Sequence, residues 1–282
     1  MTTIFAALFF AAQVAVPLKV CDGNSLQLVD CSLNGKPCTL IFDTGATHTT
    51  LDLLFVTNAI PDAKLYEVEM MGTSNVRLRP RALFPESFKV GLVDFQGYPV
   101  MVLDTDAMPR PDGRRLAGIL GMDIIGRMPV LLSLADSCAI FNAALPEGFS
   151  PPLKFDERDY DGSAKIVCEV GGKAQTMLVD SGSSWTFVMG EEGNREQGMG
   201  SGEQGTRSEA IGINGREELS MWRGDGSDLK LKLAEGGDLI LEGVKPPFNG
   251  SMPFAYLGAD TLRQYDIYLN LPEVRLRKRA AK

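Results

Sequence analysis

Histidine is nearly missing from this chain. His48 is the only one in 282 residues, which excludes a His-rich metal centre and leaves a Ser-His-Asp or Cys-His relay one candidate base, with no nucleophile marked for it. Cysteine is scarce as well: Cys21, Cys31, Cys38, Cys138 and Cys168 show no C-x-x-C spacing, so zinc and thioredoxin-type readings have no support. Buried free thiols account for them, with a Cys21–Cys31 bridge as the alternative in an exported protein. Positive charge is in deficit. The formal net charge is −8, whereas nucleic-acid partners call for clustered Lys and Arg, so no nucleic acid is expected. The basic tail from Arg275 to Lys282 reads as a solvated terminus. Long apolar runs are absent too, and no membrane span is expected. Ile4 to Ala12 is too short to cross a bilayer and fits either a signal-peptide core or a buried first strand, although no Lys or Arg precedes it. Export and a cytoplasmic location both stay open.

What the chain does contain is a repeat. "IFDTGAT" at Ile41 to Thr47 is answered by "LVDSGSS" at Leu178 to Ser184, and Asp43 and Asp180 lie 137 residues apart. The same offset carries Gly35 onto Gly172, Thr39 onto Thr176, Thr49 onto Thr186, and "ILGMDII" (Ile119 to Ile125) onto "YLGADTL" (Tyr256 to Leu262). Asp43 to Gly121 spans 78 residues, as does Asp180 to Gly258. A lone D-[ST]-G is weak evidence; two in register, each answered at the same distance by two apolar residues and Gly, mark a duplicated unit. The expected parts are residues 1–13 as a signal peptide or an apolar extension, lobes at 14–145 and 154–282, and a Pro- and Gly-containing linker at 146–153.

Each half reads as mostly β. "LQLVDCSLNGKPCTLIF" alternates on either side of Asn34-Gly35, and "AKIVCEVGGKAQTMLV" does so around Gly171-Gly172, which are hairpin signals. Further strands are expected in "SFKVGLVDF", "YPVMVLD", "LKLKLA" and "DLILEG", with one short helix per half after Gly121 and Gly258, then closing strands "MPVLLSL" and "YDIYLNL".

An acid at the end of a strand, followed by Thr or Ser and Gly, sits at a tight turn on a rigid element, and the glycine lets neighbouring backbone come close. Two such turns facing each other bring together two carboxyls that cannot both ionise easily, so the pair shares one proton. It can then hold a water, one member taking its proton while the other donates to a carbonyl oxygen.

With these residues the chain resembles a retropepsin-like, pepsin-clan aspartic protease, duplicated and fused, over most of both halves. The resemblance implies an all-β fold of two pseudo-two-fold-related lobes that hydrolyses peptide bonds in polypeptide, with no metal or organic cofactor. It implies that Asp43 and Asp180 are the catalytic pair, that Thr44 and Ser181 interlock across the lobe interface, and that Gly45 and Gly182 support the carboxylates. Tyr256 departs from the aliphatic residue of the pattern. Ser183, matched by Ala46, is expected to hydrogen-bond Asp180 and make it the more readily ionised acid. Clefts of this clan are covered by hairpin flaps, which implies flaps at Tyr66 to Arg79, with Gly72 and Thr73 at the tip, and at Ser208 to Trp222, with Gly212 and Asn214.

Other signals carry less. Met189 to Gly205 reads as a loop peculiar to the second half, and its "GSGEQG" lacks the flanking strand and helix of a dinucleotide site. The sequon at Asn249 matters only in a glycosylating pathway. Trp185 is expected to be a core aromatic behind the second turn, with a place lining the cleft as the alternative, and Asp123 and Asp260 to cap helices. Two rivals stand beside the single-chain monomeric protease: a non-catalytic peptide-binding or scaffolding module on the same fold, and a protease whose lobes pair between chains.

Overall fold

A computed structural model describes residues 12–21, 26–71, 77–104, 115–158, 161–190, 206–212, 215–222, 226–249 and 254–280. Strands dominate it, with three short helices among the described residues. The apolar stretch from Ile4 up to Ala12, Ala12 itself excepted, the tip residues Gly72, Thr73 and Asn214, most of the loop Met189 to Gly205, and Gly250 and Ser251 of the sequon lie outside the described residues.

In the first half β1 (Val14–Val20), β2 (Gln27–Leu33) and β3 (Lys36–Phe42) follow one another. β2 and β3 close on the pair Leu33–Lys36, with Asn34 at φ 46° and Gly35 at φ 78°. Both turn residues therefore sit in the left-handed region that a two-residue hairpin matching the strand twist requires. β3 ends in a fully buried run whose partner is the parallel strand Gly118–Leu120 (Leu40 beside Gly118, Phe42 beside Leu120). β4 (Thr50–Asp52) flanks that strand on its other side, antiparallel. The chain thus leaves β3 at Asp43 and returns as β4 on the far side of one central strand, which fixes both ends of the intervening loop.

The second half uses the same pattern. Lys165–Val170 and Lys173–Val179 form a hairpin over Gly171 and Gly172, at φ 57° and 79°. Lys173–Val179 lies parallel to Ala255–Leu257, with Val179 beside Leu257.

The halves meet in a sheet ordered Glu273–Lys278, Tyr265–Asn270, Val130–Ser133, Cys138–Phe141, β1. Its middle pair joins Val130–Ser133 of the first half to Tyr265–Asn270 of the second. β1 then passes from this seam onto β2, joining the seam to the first-half sheet. The stretch 146–153, expected to be a linker, bonds to Glu273–Lys278: Ser150 N–H donates to the Leu276 carbonyl and Leu153 N–H to that of Val274, each at 2.8 Å. A single apolar core extends through both halves, from Phe42, Phe141 and Leu132 to Val179, Leu257 and Ile267.

One expectation fails here. The first half holds two helices: besides α2 (Met122–Ile125), which precedes its closing strand as α3 (Ala259–Leu262) does in the second half, it contains α1 (Leu53–Ala59). α1 starts at Asp52, whose carboxylate accepts the Phe55 N–H at 3.2 Å and receives a two-pronged contact from Arg115 at 2.8 and 2.9 Å. The cysteines are free thiols, as expected, and the Cys21–Cys31 bridge, the alternative in an exported protein, does not form. Cys31 instead stands opposite Cys38 on the β2–β3 hairpin. Among the described residues no helix is long and apolar enough to cross a membrane.

Candidate active site

Asp43 and Asp180 each follow the last residue of a buried strand, and each N–H is tied to the parallel neighbour: Asp43 to the Leu120 carbonyl, Asp180 to that of Leu257, both at 3.0 Å. The chain then folds back on the carboxylate. Gly45 and Ala46 N–H groups donate to Asp43 Oδ1 at 2.8 and 3.1 Å, and Gly182 and Ser183 N–H groups to Asp180 Oδ1 at 2.7 and 3.0 Å. The two acids have matching donor sets, which orient one oxygen inward and leave the other for a partner.

The turns grip each other. Thr44 N–H donates to Ser181 Oγ at 3.1 Å and Ser181 N–H to Thr44 Oγ1 at 2.9 Å; Thr44 Oγ1 in turn donates to the Val179 carbonyl at 2.7 Å and Ser181 Oγ to that of Phe42 at 2.9 Å. Both side chains are fully buried, and every hydroxyl is used as donor and as acceptor. The glycines are pressed against the opposite acids: a Cβ on Gly45 would overlap the Asp180 carboxylate, and one on Gly182 the Asp43 carboxylate. Only glycine allows the two turns to approach so closely.

The carboxyls of Asp43 and Asp180 lie within reach of each other and interact. Burial pushes both above the usual carboxylate range, and the neighbouring charge of Asp43 pushes Asp180 further. The pair therefore takes up and releases protons as a unit. The Ser183 hydroxyl does not bond Asp180 as expected: it donates to the Trp185 carbonyl at 2.9 Å, and the residue lowers the acid only through its N–H. The side chain turns back to its own loop because that carbonyl lies two residues away, in easy reach of a short hydroxyl.

Asp123 and Asp260 are not N-caps; Gly121 and Gly258 hold those positions, without side-chain caps. The two acids brace the loops behind the turns. Asp123 Oδ1 accepts both the N–H and the hydroxyl of Thr49 at 2.7 Å, and Thr49 Oγ1 accepts the Gly121 N–H at 3.0 Å. In the second half Thr186 Oγ1 donates to Asp260 at 2.6 Å and accepts the Gly258 N–H at 2.9 Å. Thr49 and Thr186 are thus supporting residues that the sequence revealed only as a matched pair without a role. Tyr256 is buried and stacks on Phe187, ring centroids 4.8 Å apart, so the unusual ring is absorbed by packing. Trp185 is 61% exposed, contrary to its expected place in the core.

The hairpin arms are present at both expected flap positions. Met70–Met71 pairs with Arg77–Leu78, and Thr206–Gly212 pairs with Gly215–Trp222, Gly212 opposite Gly215. Among the described residues no cluster of three or more His, Cys, Asp or Glu could hold a metal ion. What the turns offer chemically is a close carboxyl pair, Asp180 buried and Asp43 half-buried.

Residues 29–124, which include the first acid and the strand that supports it, match a sequence family described as aspartyl protease. That stretch is similar to aspartyl proteases. The similarity supports a retropepsin-like family and protease function in general. A comparison with curated proteins found no match.

Proposed function

We propose that the chain is a single-chain aspartic endopeptidase, built by duplication of a retropepsin-like unit, with lobes at residues 14–145 and 154–282 and Asp43 and Asp180 as its catalytic pair. In this reading a water lies between the two carboxyls. The ionised member takes its proton while the protonated member donates to the carbonyl oxygen of the scissile peptide bond, so no covalent enzyme intermediate and no cofactor is needed. Thr44 and Ser181 lock the lobes together, and Gly45, Gly182 and the N–H of Ser183 hold the acids. The two hairpins, with Gly72 and Thr73 on one and Gly212 and Asn214 on the other, cover a bound polypeptide.

The observation that carries the proposal is the reciprocal contact of the two turns, in which each glycine backs the opposite carboxylate. Because the turns belong to one chain, it favours acids supplied in cis by a monomer over lobes paired between chains. The deciding experiment is digestion of a denatured protein mixture at acidic pH, read by mass spectrometry. Cleavage by the wild type that is lost in both Asp43→Asn and Asp180→Asn is expected. An inert wild type that still binds peptides would instead point to the non-catalytic peptide-binding module.

A further inference from the structure

Trp185 is the most telling side chain that the proposed chemistry leaves unused. Its large apolar ring stands 61% exposed five residues after Asp180. Its place so soon after the acid makes it a candidate anchor, because Trp is among the residues enriched at binding hot spots. The ring stands on a fixed base. The Trp185 carbonyl accepts the Ser183 hydroxyl at 2.9 Å, the neighbouring Ser184 carbonyl accepts the Asp260 N–H at 3.3 Å, and a Cβ on Gly258 would overlap the Trp185 backbone. A rigid aromatic on a braced backbone loses little freedom on binding, which favours affinity.

The 137-residue offset carries Trp185 onto His48, five residues after Asp43. The backbone there is braced in the same way, a Cβ on Gly121 falling 2.6 Å from the His48 carbonyl carbon. The side chain, however, faces other chemistry. His48 Nδ1 lies 2.8 Å from Thr47 Oγ1, and the residue borders a mostly polar cavity of about 300 Å3, also lined by Tyr98, Asp123, Arg127 and Asp161 and by the apolar Met122 and Leu271. Arg127 lies over the Tyr98 ring at 3.9 Å and donates to the Asp123 carbonyl at 3.1 Å. Equivalent places beside the two acids thus carry an apolar platform on one side and a polar pocket on the other.

We infer that Trp185 and His48 set an asymmetric substrate preference: Trp185 receives a bulky apolar or aromatic side chain on one side of the scissile bond, and the pocket beside His48 receives a hydrogen-bonding side chain on the other. The inference rests on the proteolytic reading above. A peptide lying across the dyad meets the two residues on opposite sides, because a two-fold relation between the turns places them so. Stacking and desolvation at Trp185 reward a ring or a long aliphatic chain. The His48 pocket disfavours such a group, because its polar atoms would be buried without partners.

The test is cleavage-site profiling of a denatured proteome with the wild type, Trp185→Ala, Trp185→Phe and His48→Ala. The wild type is expected to enrich Phe, Tyr, Leu or Met at one position and polar residues across the bond. In Trp185→Ala, kcat/KM for synthetic peptides with Phe at that position should fall about 10- to 100-fold, mostly through KM, while peptides with Ala there change little. Trp185→Phe should restore most of the loss, and His48→Ala should relax only the polar position. An unchanged profile in Trp185→Ala, or an equal loss for all peptides, overturns the inference while leaving the protease reading intact.

If the wild type cleaves nothing, the protease reading fails and binding decides this one. In a Trp222→Phe background Trp185 is the remaining indole of the two in the chain. Its emission should shift on adding a synthetic peptide with a central Phe and not with a central Ser; equal or absent shifts overturn the inference.

Discussion

Leu131 lies directly opposite Tyr268 where the two halves pair through strands Val130–Ser133 and Tyr265–Asn270. The residues are separated by the offset that relates Asp43 to Asp180, and Thr44 to the Ser181 oxygen that it bonds. A two-fold axis through the Leu131–Tyr268 pair would carry each seam strand onto the other, with Val130 falling on Ile267 and Leu132 on Leu269. The proposed duplication requires such a register.

The reciprocal grip should be cooperative. Thr44→Val removes a hydroxyl that accepts the Ser181 N–H and donates to the Val179 carbonyl, leaving two buried groups without partners. The expected cost is about 2–4 kcal/mol. Thr44→Ser should recover much of it. In urea unfolding of Thr44→Val, Ser181→Ala and the double variant, the two losses should fall short of adding, by roughly 1 kcal/mol or more; simple additivity would refute the coupling.

The acid pair should cost stability at neutral pH. Both carboxyls have folded pKa values raised by burial. The folded state therefore holds its protons more tightly than the unfolded chain, and the stability present below the ordinary aspartate range, about pH 4, is lost as pH rises through the raised values. Asp43→Asn removes one of the two charges. Its melting temperature should exceed that of the wild type at pH 7, by roughly 2–4 °C per kcal/mol relieved, with the gap closing near pH 3. A pH-independent gap would contradict this.

Gly182→Ala should abolish proteolysis while Asp180 keeps its own donors. The added methyl displaces the Asp43 carboxylate, and a shift of about 1 Å in a reacting group costs on the order of 100-fold in rate. Gly45→Ala should act equally through Asp180. Residual activity above a tenth of wild type in either variant would show that the acids tolerate the displacement.

Asp156 should make the second half acid-sensitive. Arg158, bonded to it at 2.7 and 2.8 Å, holds its carboxyl well below the usual range, with Thr176 assisting. That contribution is present above the ordinary aspartate pKa and lost as pH falls below it. Arg158 is 77% exposed, so screening limits the effect. Arg158→Ala should lose about 1–2 kcal/mol at pH 7 and less at pH 3, measured by urea unfolding; an equal loss at both would refute the ion-pair account.

The strands, the turns at Asn34-Gly35 and Gly171-Gly172, and the two acid motifs were legible because each is a local signal repeated at a fixed spacing. The family similarity covers residues 29–124 only, so for the second half the spacing carried the reading. What escaped depended on contacts between distant residues. α1 is too short to display a helical period, and its start is set by an aspartate that Arg115 holds from 63 positions away. The Ser183 hydroxyl and the Asp123 carboxylate had several partners within reach, and only the folded loop selects among them. Trp185 looked like core because large aromatics usually are, and no local signal marked the ring as exposed.

In an assembly of two identical subunits, every substitution lands on both walls of the groove together. In the proposed single-chain protease the matching places hold an imidazole and an indole, encoded separately. Each wall is free to drift under its own selection, and nothing obliges such a groove to favour targets that read alike in both directions from the cut.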